Sequence, residues 1–446
     1  MKQPNVVFVF GDQWRAQATG YAGDPNVQTP NLDRFAQESL NFTTAVSNCP
    51  VCSPWRATLM TGQYPLTHGV FVNDVPISSQ PKYLAECFGE AGYDTAYIGK
   101  WHIDGHGRSA YIPRQRRQGF EYWKVRECTH DYNESFYYAD DPEKLWWEGY
   151  DAVAQTRDAQ AYLQGRRGEK PFLLILSWGP PHDPYQTAPE AFRRLYDAGR
   201  IELRPNVPES LATQARQALA GYYAHCSALD WCFGELLRTL DECGLSEDTL
   251  LVFTSDHGDL LGSHGGWNKQ RAWDESILTP LLLRYPARFG RAARRIETPI
   301  NSPDLMPTLL GLAGLPIPAT VEGHDFAPFL RGESAPPDTR ALIELPVCFH
   351  QYAYYRGGRD WRGLRTARYT YVIHREGPWM LYDNAADPCQ LQNLVDHPDY
   401  AALQAELDAD LRRRLATRSD DFTAGAVLLQ RAGYRVDARG DPVYDP

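Results

Sequence analysis

The spacing of hydrophobic residues predicts alternating strands and helices over the first three quarters of the chain. Continuous apolar runs rich in β-branched and aromatic residues are typical of strands buried on both faces of a parallel sheet. Five segments have this pattern: Val6–Phe10, Thr95–Ile98, Phe172–Ser177, Thr249–Thr254 and Leu281–Tyr285. Five others have apolar residues at helical spacing: Pro30–Phe42, Lys82–Ala91, Tyr150–Gly165, Leu211–Cys243 and Ser302–Ala313. This alternation favours a doubly wound α/β domain with a mostly parallel central sheet.

The last quarter of the chain has a different pattern. Short alternating segments predict a small antiparallel sheet, and they are Ala341–Leu345, Leu364–Thr366 and Tyr369–His374. A helix is predicted over Tyr400–Leu415, and Pro-rich stretches over Leu315–Val321 and Gly332–Thr339 suggest linkers. We therefore expect a large α/β domain over residues 1–335 and a smaller C-terminal α+β subdomain over residues 336–446.

Four polar residues follow predicted strands. Asp12, Lys100, His182 and Asp256 each lie just beyond the predicted C-terminal end of a strand. In open α/β sheets, ligands bind outside the carboxyl ends of the strands. We therefore expect these four side chains to share one site.

The segment Asn48–Gly62 is predicted to form a short helix with a reactive side chain at its start. Ser53 suits the N-cap, the proline after it suits the first helical position, and Gly62 suits a left-handed residue that ends the helix. Cys52 would then lie at the positive end of the helix dipole with Arg56 one turn inside. Both features lower the pKa of a thiol and attract an anion. The alternative is an ordinary buried cysteine before a helix.

The net charge and the composition restrict the classes of ligand and partner that the chain is expected to bind. The chain has 446 residues and a formal net charge of -11, which argues against a nucleic-acid or anionic-membrane partner. An anionic ligand would therefore need a local group of cations, for which the candidates are Arg56, Lys100, His102, His182 and Lys269. No apolar stretch approaches the ~20 residues of a membrane helix. Nine scattered cysteines and the lack of a signal-peptide pattern suggest a cytoplasmic protein, unless an export signal preceded this sequence.

The cysteine segment resembles the signature of the type I sulfatases, which belong to the alkaline phosphatase superfamily. The matching residues are Cys52, Pro54, Arg56, Leu59, Thr61 and Gly62. In that family a formylglycine-generating enzyme oxidises the cysteine to formylglycine, and the hydrate of formylglycine is the nucleophile. This sequence has Trp55 where Ser is common and Gln63 where Arg or Lys is common. Neither difference touches the C-x-P-x-R core, so the resemblance implies that Cys52 is modified.

The same resemblance implies a divalent metal. In sulfatase-like chains the first strand ends in an acidic pair and a late strand ends in D-H or D-N. The corresponding ligands here are Asp12, Gln13, Cys52 as formylglycine, Asp256 and His257. Gln13 stands where many members have a second Asp. Mostly oxygen ligands suit calcium, and the single histidine also admits manganese. Taken alone, each acidic loop is also compatible with the alternative that it only caps a neighbouring helix.

The resemblance also implies roles for the cations. Arg56 and Lys100 would hold the formylglycine and a sulfate oxygen. His182, assisted by Lys269, would protonate the departing alcohol. His102 would then remove a proton from the second hydroxyl, so that the aldehyde reforms and sulfate leaves. Three more residues lie in family-like positions and are expected to support the site or contact the substrate: His68, Asn73 and His264.

The substrate is expected to be a sulfate ester of a carbohydrate. Two aromatic- and arginine-rich segments, Gly107–Tyr150 and His350–Arg365, are candidates for sugar contacts, with the C-terminal subdomain contributing to the pocket. These aromatics would otherwise fill the seam between the domains. Two alternative functions remain: a phosphonate monoester or phosphodiester hydrolase of the same superfamily, and a non-catalytic binder of sulfated sugars. Whether the chain forms a homo-oligomer stays open.

Overall fold

An eight-stranded sheet forms the centre of the fold in the computed structural model, which describes residues 3–78, 81–166 and 170–443. Its strands in chain order are β1 (Asn5–Asp12), β2 (Leu40–Phe42), β3 (Asp94–Lys100), β4 (Tyr122–Arg126), β5 (Phe172–Pro181), β6 (Thr249–Ser255), β7 (Leu281–Arg284) and β8 (Arg294–Ile296). Across the sheet they lie in the order β8-β2-β7-β6-β1-β5-β3-β4.

Most of this sheet is parallel, as predicted. The strands β6, β1, β5, β3 and β4 run in one direction, and β7 is antiparallel to both of its neighbours. At the far edge β8 is parallel to β2. Because β1, β3, β5 and β6 are parallel, the residues that follow them meet at one edge of the sheet.

Helices cover both faces of the sheet. Those of seven or more described residues are α1 (Pro30–Ala36), α2 (Cys52–Thr61), α3 (Leu84–Glu90), α4 (Asp151–Gln164), α5 (Ala212–Glu242), α6 (Ser302–Ala313), α7 (Ala401–Thr417) and α8 (Gly425–Arg431). Five four-residue helices connect other segments: Pro65–His68, Glu190–Arg193, Asp274–Ile277, Pro286–Phe289 and Ala327–Leu330. Among the described residues, no helix is both long and apolar enough to cross a membrane.

The residues of β1 divide between two buried clusters. Val6, Phe8 and Phe10 belong to the cluster that contains residues of α2 and α6, whereas Val7 and Val9 belong to the cluster that contains residues of α5. Alternate side chains of a strand point to opposite faces, so both faces of the sheet are buried. The doubly wound α/β arrangement is thereby confirmed. All nine cysteines are described and none forms a disulfide.

A four-stranded antiparallel sheet follows in the C-terminal part. Its strands are β9 (Arg340–Leu345), β10 (Trp361–Thr366), β11 (Tyr369–His374) and β12 (Gly377–Asp383). On one face Leu364 and Tyr371 share a cluster with Leu411 of α7, whereas on the other face Ile343 and Val372 belong to the main core. This sheet therefore packs against the large domain, and the division at residues 335 and 336 stays a prediction.

One local prediction needs correction, and some strands were not predicted. The helix predicted over Pro30–Phe42 ends at Ala36, and Leu40–Phe42 forms strand β2 instead. The apolar spacing from Leu32 to Leu40 is helical throughout, but the helix itself stops at Ala36. Beyond it, Leu40 and Phe42 are buried on either side of a half-buried residue, which is the period of a strand. The strands β4 and β12 were not predicted, and β4 lies at the edge of the central sheet, where its alternate residues are only half-buried.

Small strands complete the fold. A two-stranded ribbon, Phe136–Tyr137 with Leu145–Trp146, extends from the segment after β4. A three-stranded sheet is formed by Ala45–Val46, Leu278–Thr279 and Ile300–Asn301. Parts of the aromatic- and arginine-rich segment Gly107–Tyr150 are thus ordered by strand pairing.

Candidate active site

The four residues predicted to meet at the end of the sheet are close together. Lys100 Nζ, at the end of β3, donates to Asp12 Oδ2 at the end of β1 at 2.7 Å. Asp256 follows β6 and shares the NH2 group of Arg56 with Asp12. His182 follows β5 and reaches the same group of residues through Lys269.

Helix α2 presents Cys52 to this edge of the sheet, although its start differs from the prediction. The helix begins at Cys52, with Val51 in extended conformation before it, so Ser53 is not the N-cap. The Ser53 N–H is bound by Asn73 Oδ1 at 3.0 Å, and Ser53 Oγ donates to the His102 carbonyl at 2.6 Å. A side chain from another loop thus takes the place of a local cap.

The end of α2 is as predicted. Gly62 adopts a left-handed conformation with φ of 65° and closes the helix by donating to the Thr58 carbonyl. An added Cβ at Gly62 would lie 2.9 Å from Val321, so both the backbone and the packing favour glycine. The position of Cys52 is therefore determined at both ends of its helix.

The thiol of Cys52 lies between cations and carboxylates. Lys269 Nζ donates to its Sγ at 2.9 Å, and Lys100 Nζ lies 4.0 Å away. On the other side, Sγ lies 3.3 Å from His257 Nε2 and 3.5 Å from Asp12 Oδ1. Burial and Asp12 raise the pKa of this thiol, but the two lysines outweigh them and lower it to about 6. Position 52 is thus suited to a negatively charged nucleophile.

The candidate metal ligands converge on the carboxylate side of Cys52. Ligand atoms of Asp12, Cys52, Asp256 and His257 all lie within 4.8 Å of one another, and all four residues are buried. His257 Nδ1 donates to the Gly258 carbonyl at 3.0 Å, so Nε2 keeps its lone pair for the cluster. Gln13 Oε1 is buried and has no hydrogen-bond partner among the described residues. An orphaned amide oxygen, two carboxylates and an unprotonated imidazole fit a hard divalent cation.

The charges of this cluster also fit a cation. Burial raises the pKa of Asp12, but Lys100, His182, Lys269 and Arg56 hold it well below its ordinary value. Burial and the neighbouring Asp12 raise the pKa of Asp256 to about 6. Burial lowers the pKa of His257 to about 4, which keeps the imidazole neutral. Two carboxylates this close repel each other, and a divalent cation would relieve that repulsion.

Arg56 binds the two carboxylates from the protein side. Its NH2 group donates to Asp12 Oδ2 at 3.1 Å and to Asp256 Oδ2 at 3.3 Å. Its NH1 group donates to the Lys100 carbonyl and to Ser177 Oγ. The side chain is fully buried, and its guanidinium lies 4.9 Å from the centre of the Phe10 ring. Both terminal nitrogens are thus used to position other residues of the site.

Lys269 and His182 form a pair on the other side of Cys52. Lys269 Nζ lies 3.1 Å from His182 Nε2, and His182 Nδ1 donates to the Asp183 carbonyl at 2.9 Å. His182 Nε2 therefore accepts from the lysine. Burial, Lys269 and His130 lower the pKa of His182 well below its ordinary value. The His130 ring stacks on His182 at 4.6 Å between centroids. In this pair the lysine carries the proton and the histidine is neutral.

His102 is held by a carboxylate of its own. Its Nε2 lies 3.0 Å from Asp74 Oδ1, and Arg108 binds both oxygens of the same carboxylate at 2.9 and 2.7 Å. Although burial opposes it, Cys128 and Asp74 raise the pKa of His102 well above its ordinary value. Nδ1 is buried and has no hydrogen-bond partner in the described part of the chain.

Two residues with family-like positions have other partners. His68 Nε2 pairs with Thr58 Oγ1 of helix α2, and burial lowers the pKa of this histidine to about 3. His264 stacks on Trp273 at 4.3 Å and pairs with Asn206. These contacts of His68 and His264 join neighbouring segments of the chain. Asn73, by contrast, supports the start of α2.

Several site residues were not found from the sequence. Asp74, His130, Ser177 and Asp259 each contact a residue named above, and Asp259 accepts from Gln13 Nε2 at 2.7 Å. Ser177 is the last residue of a predicted strand, and His130 lies in the aromatic-rich segment Gly107–Tyr150. Asp74 directly follows Asn73, a residue in a family-like position, and that is its local signal. The other contacts join segments far apart in the chain, which no local pattern reveals.

Comparisons with known proteins agree with this geometry. The sulfatase family model matches residues 4–315, and the model described as N-sulphoglucosamine sulphohydrolase, C-terminal, matches residues 262–417. The chain is 44% identical to the ulvan-active sulfatase of Formosa agariphila, over 97% of this chain and 85% of that protein. It is 32% identical to the endo-4-O-sulfatase of Bacteroides thetaiotaomicron, over 97% of this chain and 96% of that one.

A solved structure agrees as well. The yidJ sulfatase of Bacteroides fragilis superposes with a TM-score of 0.86 at 28% identity, covering 95% of this chain and 97% of that one. The family match spans both sides of the candidate site, from the first strand to the residues beyond Lys269. The chain belongs to the sulfatase family of the alkaline phosphatase superfamily and is a sulfuric ester hydrolase.

Proposed function

We propose that this enzyme hydrolyses a sulfate monoester of a saccharide, with Cys52 converted to formylglycine by a formylglycine-generating enzyme. The observation that supports this best is the position of Cys52 at the start of α2, between Lys269 and the cluster of Asp12, Asp256 and His257. Cations on one side suit a sulfate, and a metal cluster on the other suits activation of the nucleophile.

The metal that the cluster would hold is calcium. Asp12, Gln13, Asp256 and His257, together with residue 52, form a donor set dominated by oxygen, which calcium prefers, and manganese is the second choice. When bound, the cation would lower the pKa of a hydroxyl of hydrated formylglycine and so supply a nucleophile at neutral pH. Asp259 would keep Gln13 oriented, because it accepts from the amide nitrogen and leaves the buried Oε1 without a partner among the described residues, free to bind a cation.

Lys100 and Lys269 would bind the sulfate oxygens. Both are buried ammonium groups within 4.0 Å of Cys52 Sγ. Charged donors that are fixed before the reaction stabilise the charge of the transition state without reorganisation. Arg56 would position the other site residues rather than bind the sulfate. Its terminal nitrogens already donate to Asp12, Asp256, Ser177 and the Lys100 carbonyl.

The Lys269–His182 pair would supply the proton to the leaving alcohol. In the resting pair the proton is on Lys269 Nζ, and His182 Nε2 is an acceptor. Delivery from His182, as the family resemblance implies, would therefore require transfer from the lysine, with His182 and Lys269 acting as one unit. An alcohol leaving group with a high pKa needs this proton, whereas a phenol with a low pKa does not.

His102 would act in the second half of the reaction. Asp74 accepts from Nε2 and orients the ring, and Nδ1 is the nitrogen that would take a proton from the second hydroxyl of the hydrate, once it has released the proton that the raised pKa of His102 keeps on it. Loss of that proton lets the aldehyde reform while the bond to sulfate breaks. A serine ester has no second hydroxyl and would need direct hydrolysis.

The saccharide part of the proposal has two supports. The relatives at 44% and 32% identity are named for ulvan and for endo-4-O-sulfate ester cleavage. The two aromatic segments are mostly packed inside, which agrees with the reading that they fill a seam. A few rings stay exposed, however, with Trp146 62% and Tyr355 48% accessible. Exposed flat rings with polar neighbours suit a sugar.

One comparison of substrates tests the function. The values of kcat/KM should be measured side by side for sulfated saccharides, an aryl sulfate, an aryl phosphonate monoester and an aryl phosphodiester. The proposal predicts the highest value for a sulfated saccharide. A preference for either phosphorus ester would instead favour the phosphonate or phosphodiester hydrolase. Saturable binding of sulfated sugars without turnover of any ester would favour a non-catalytic binder.

A further inference from the structure

Arg271 is a half-buried cation without an acidic partner, two residues after Lys269. Among the described residues no carboxylate lies within ion-pair distance of it, whereas Arg365 and Arg204 on neighbouring segments each bind one. Burial lowers the pKa of Arg271 to about 10, with no carboxylate to oppose the effect. An arginine that is partly removed from water and left unpaired is unfavourable for folding, so a function is expected to retain it.

The guanidinium of Arg271 is held flat. It lies 3.4 Å from the centre of the Tyr352 ring, which is the distance of a stacked pair. Among the described residues its side chain donates one hydrogen bond, from NH1 to the Lys269 carbonyl, and this bond is long at 3.4 Å. Stacking uses the face of the guanidinium and leaves its in-plane N–H groups available. Those groups match a carboxylate or a sulfate, which can accept two parallel hydrogen bonds.

The loop that carries Lys269 and Arg271 is fixed to the C-terminal part of the chain. Gln270 Oε1 accepts from the Phe349 N–H, and Gln270 Nε2 donates to the Phe349 carbonyl, both at 3.1 Å. Trp361 Nε1 donates to the Gln270 carbonyl at 3.2 Å. We call Gln270, Arg271, Phe349, Tyr352 and Trp361 the C-terminal rim. These hydrogen bonds hold Arg271 in a defined position relative to Lys269.

The position of Arg271 relates it to the leaving-group side of the reaction. Residues 269 and 271 have Cα atoms at most ~7 Å apart, because two extended residues span no more. Lys269 contacts Cys52 Sγ and His182, where the departing alcohol is proposed to be protonated. A group bound by Arg271 would therefore belong to the saccharide that leaves.

We propose that Arg271 binds a second acidic group of the substrate, a carboxylate or a further sulfate on the sugar next to the cleaved ester. This inference rests on the proposed saccharide sulfatase function and specifies its substrate as a polyanionic saccharide. It also assigns a function to the C-terminal rim, which holds the recognising arginine beside the catalytic lysine. A neutral monosulfated sugar would leave Arg271 unpaired and should be a poorer substrate.

The test compares substrates that differ in the second acidic group. The probes are a sulfated disaccharide with a hexuronate residue, the same disaccharide after reduction of its carboxyl group, a disulfated disaccharide without carboxylate, and an aryl sulfate. The measured quantity is the ratio of kcat/KM on each saccharide to kcat/KM on the aryl sulfate. Arg271→Gln should lower this ratio for at least one acidic saccharide about 10- to 100-fold, the value of a charged hydrogen-bonded pair. Arg271→Lys should recover part of it.

Arg418 offers a matched control. It is also half-buried and lies 3.8 Å from the centre of a tyrosine ring, that of Tyr64, away from the C-terminal rim. Arg418→Gln should leave the ratio unchanged. Which saccharide responds to Arg271→Gln distinguishes a carboxylate from a second sulfate as the bound group.

The outcomes separate this inference from the proposed function. If the wild-type enzyme hydrolyses the aryl sulfate but prefers none of the acidic saccharides to the reduced one, Arg271 does not bind a second anion. An equal loss on saccharide and aryl sulfate in Arg271→Gln would mean that the arginine only positions the Lys269 loop. If the wild-type enzyme hydrolyses no sulfate ester at all, the proposed function itself fails.

Discussion

Two sides of the site around Cys52 are built in different ways. On the metal side, Asp12, Asp256 and Arg56 are fully buried and each charge has a partner within 3.3 Å. On the C-terminal rim, Arg271 is half-buried and has an aromatic ring in place of a counter-ion. The metal side comes from the ends of adjacent parallel strands, and the rim comes from loops separated by some 80 residues. A buried, ion-paired site at the strand ends suits the reaction chemistry that a family shares. Residues on loops suit the recognition of a particular substrate.

The largest effect should come from breaking the metal side. Asp12→Asn removes a proposed metal ligand and the partner of Lys100, so turnover should fall by at least about 10³-fold. Lys100 then remains as a buried cation without a carboxylate partner, and the free energy of unfolding should fall by about 3–5 kcal/mol. Chelation should stop turnover of the wild-type enzyme, and added calcium should restore it. Turnover that persists after the metal has been shown to be absent would contradict the metal assignment.

Asp274 provides the control for this change. It is buried and binds Arg365 through both oxygens at 2.9 Å, in a contact outside the metal side. Asp274→Asn should destabilise the protein in the same way but leave its response to calcium intact. Equal effects of both variants on turnover would mean that Asp12 acts only through stability.

A change on the leaving-group side should depend on the substrate. His182→Ala disrupts the Lys269–His182 pair and should lower kcat on alkyl and saccharide sulfates by about 10²–10⁴-fold, the usual range for general acid catalysis. Activated aryl sulfates should lose much less, because a low-pKa phenol leaves without a proton. The measurement is a plot of log kcat against leaving-group pKa for both enzymes. A plot with the same slope for the variant as for the wild type would show that His182 does not take part in protonation.

A smaller and uniform effect is expected from the base of the second half-reaction. Asp74→Asn removes the carboxylate that holds His102 and should slow release of the enzyme-bound sulfate about 10- to 100-fold for every substrate. Rapid-quench kinetics should then show a burst of product alcohol. Asp104→Asn is the matched control, because Asp104 also binds an arginine, Arg116, through both oxygens. Dependence of the Asp74→Asn defect on the leaving group would contradict the role assigned to His102.

The smallest effect should be on stability. Asn73→Ala leaves the Ser53 N–H at the start of α2 without its acceptor, and the free energy of unfolding should fall by about 1 kcal/mol, as for other helix caps. Thermal or urea unfolding measures this change. Asn133→Ala, on an exposed loop contact, is the control and should have little effect. A wild-type Tm for Asn73→Ala would mean that water replaces the cap.

The two constructions also explain what the sequence could predict. Asp12, Lys100, His182 and Asp256 were found because each follows an apolar run, and parallel strands bring such positions together. Arg271 and Asp74 were missed because their partners, Tyr352 and His102, come from other segments of the chain. The sequence places the start of α2 two residues late for a related reason. Ser53 looks like a local cap, but Asn73 from another loop provides the acceptor.

The short strands show the same limit. The spacing predicts one helix over Pro30–Phe42 because Leu40 continues the helical spacing by coincidence, whereas pairing with β7 makes Leu40–Phe42 a strand. Pairing across the chain outweighs local spacing when a segment is only three residues long. Long elements such as α5 were predicted to within a residue at each end.

The state of Cys52 in active enzyme tests the central claim most directly. Enzyme produced aerobically with a formylglycine-generating enzyme should be digested, and the peptide containing Cys52 should be analysed by mass spectrometry and labelled with an aldehyde-reactive probe. The account predicts a carbonyl in place of the thiol in a fraction of molecules that rises in proportion to kcat across preparations. Intact thiol as the only form of residue 52 in fully active enzyme would contradict it.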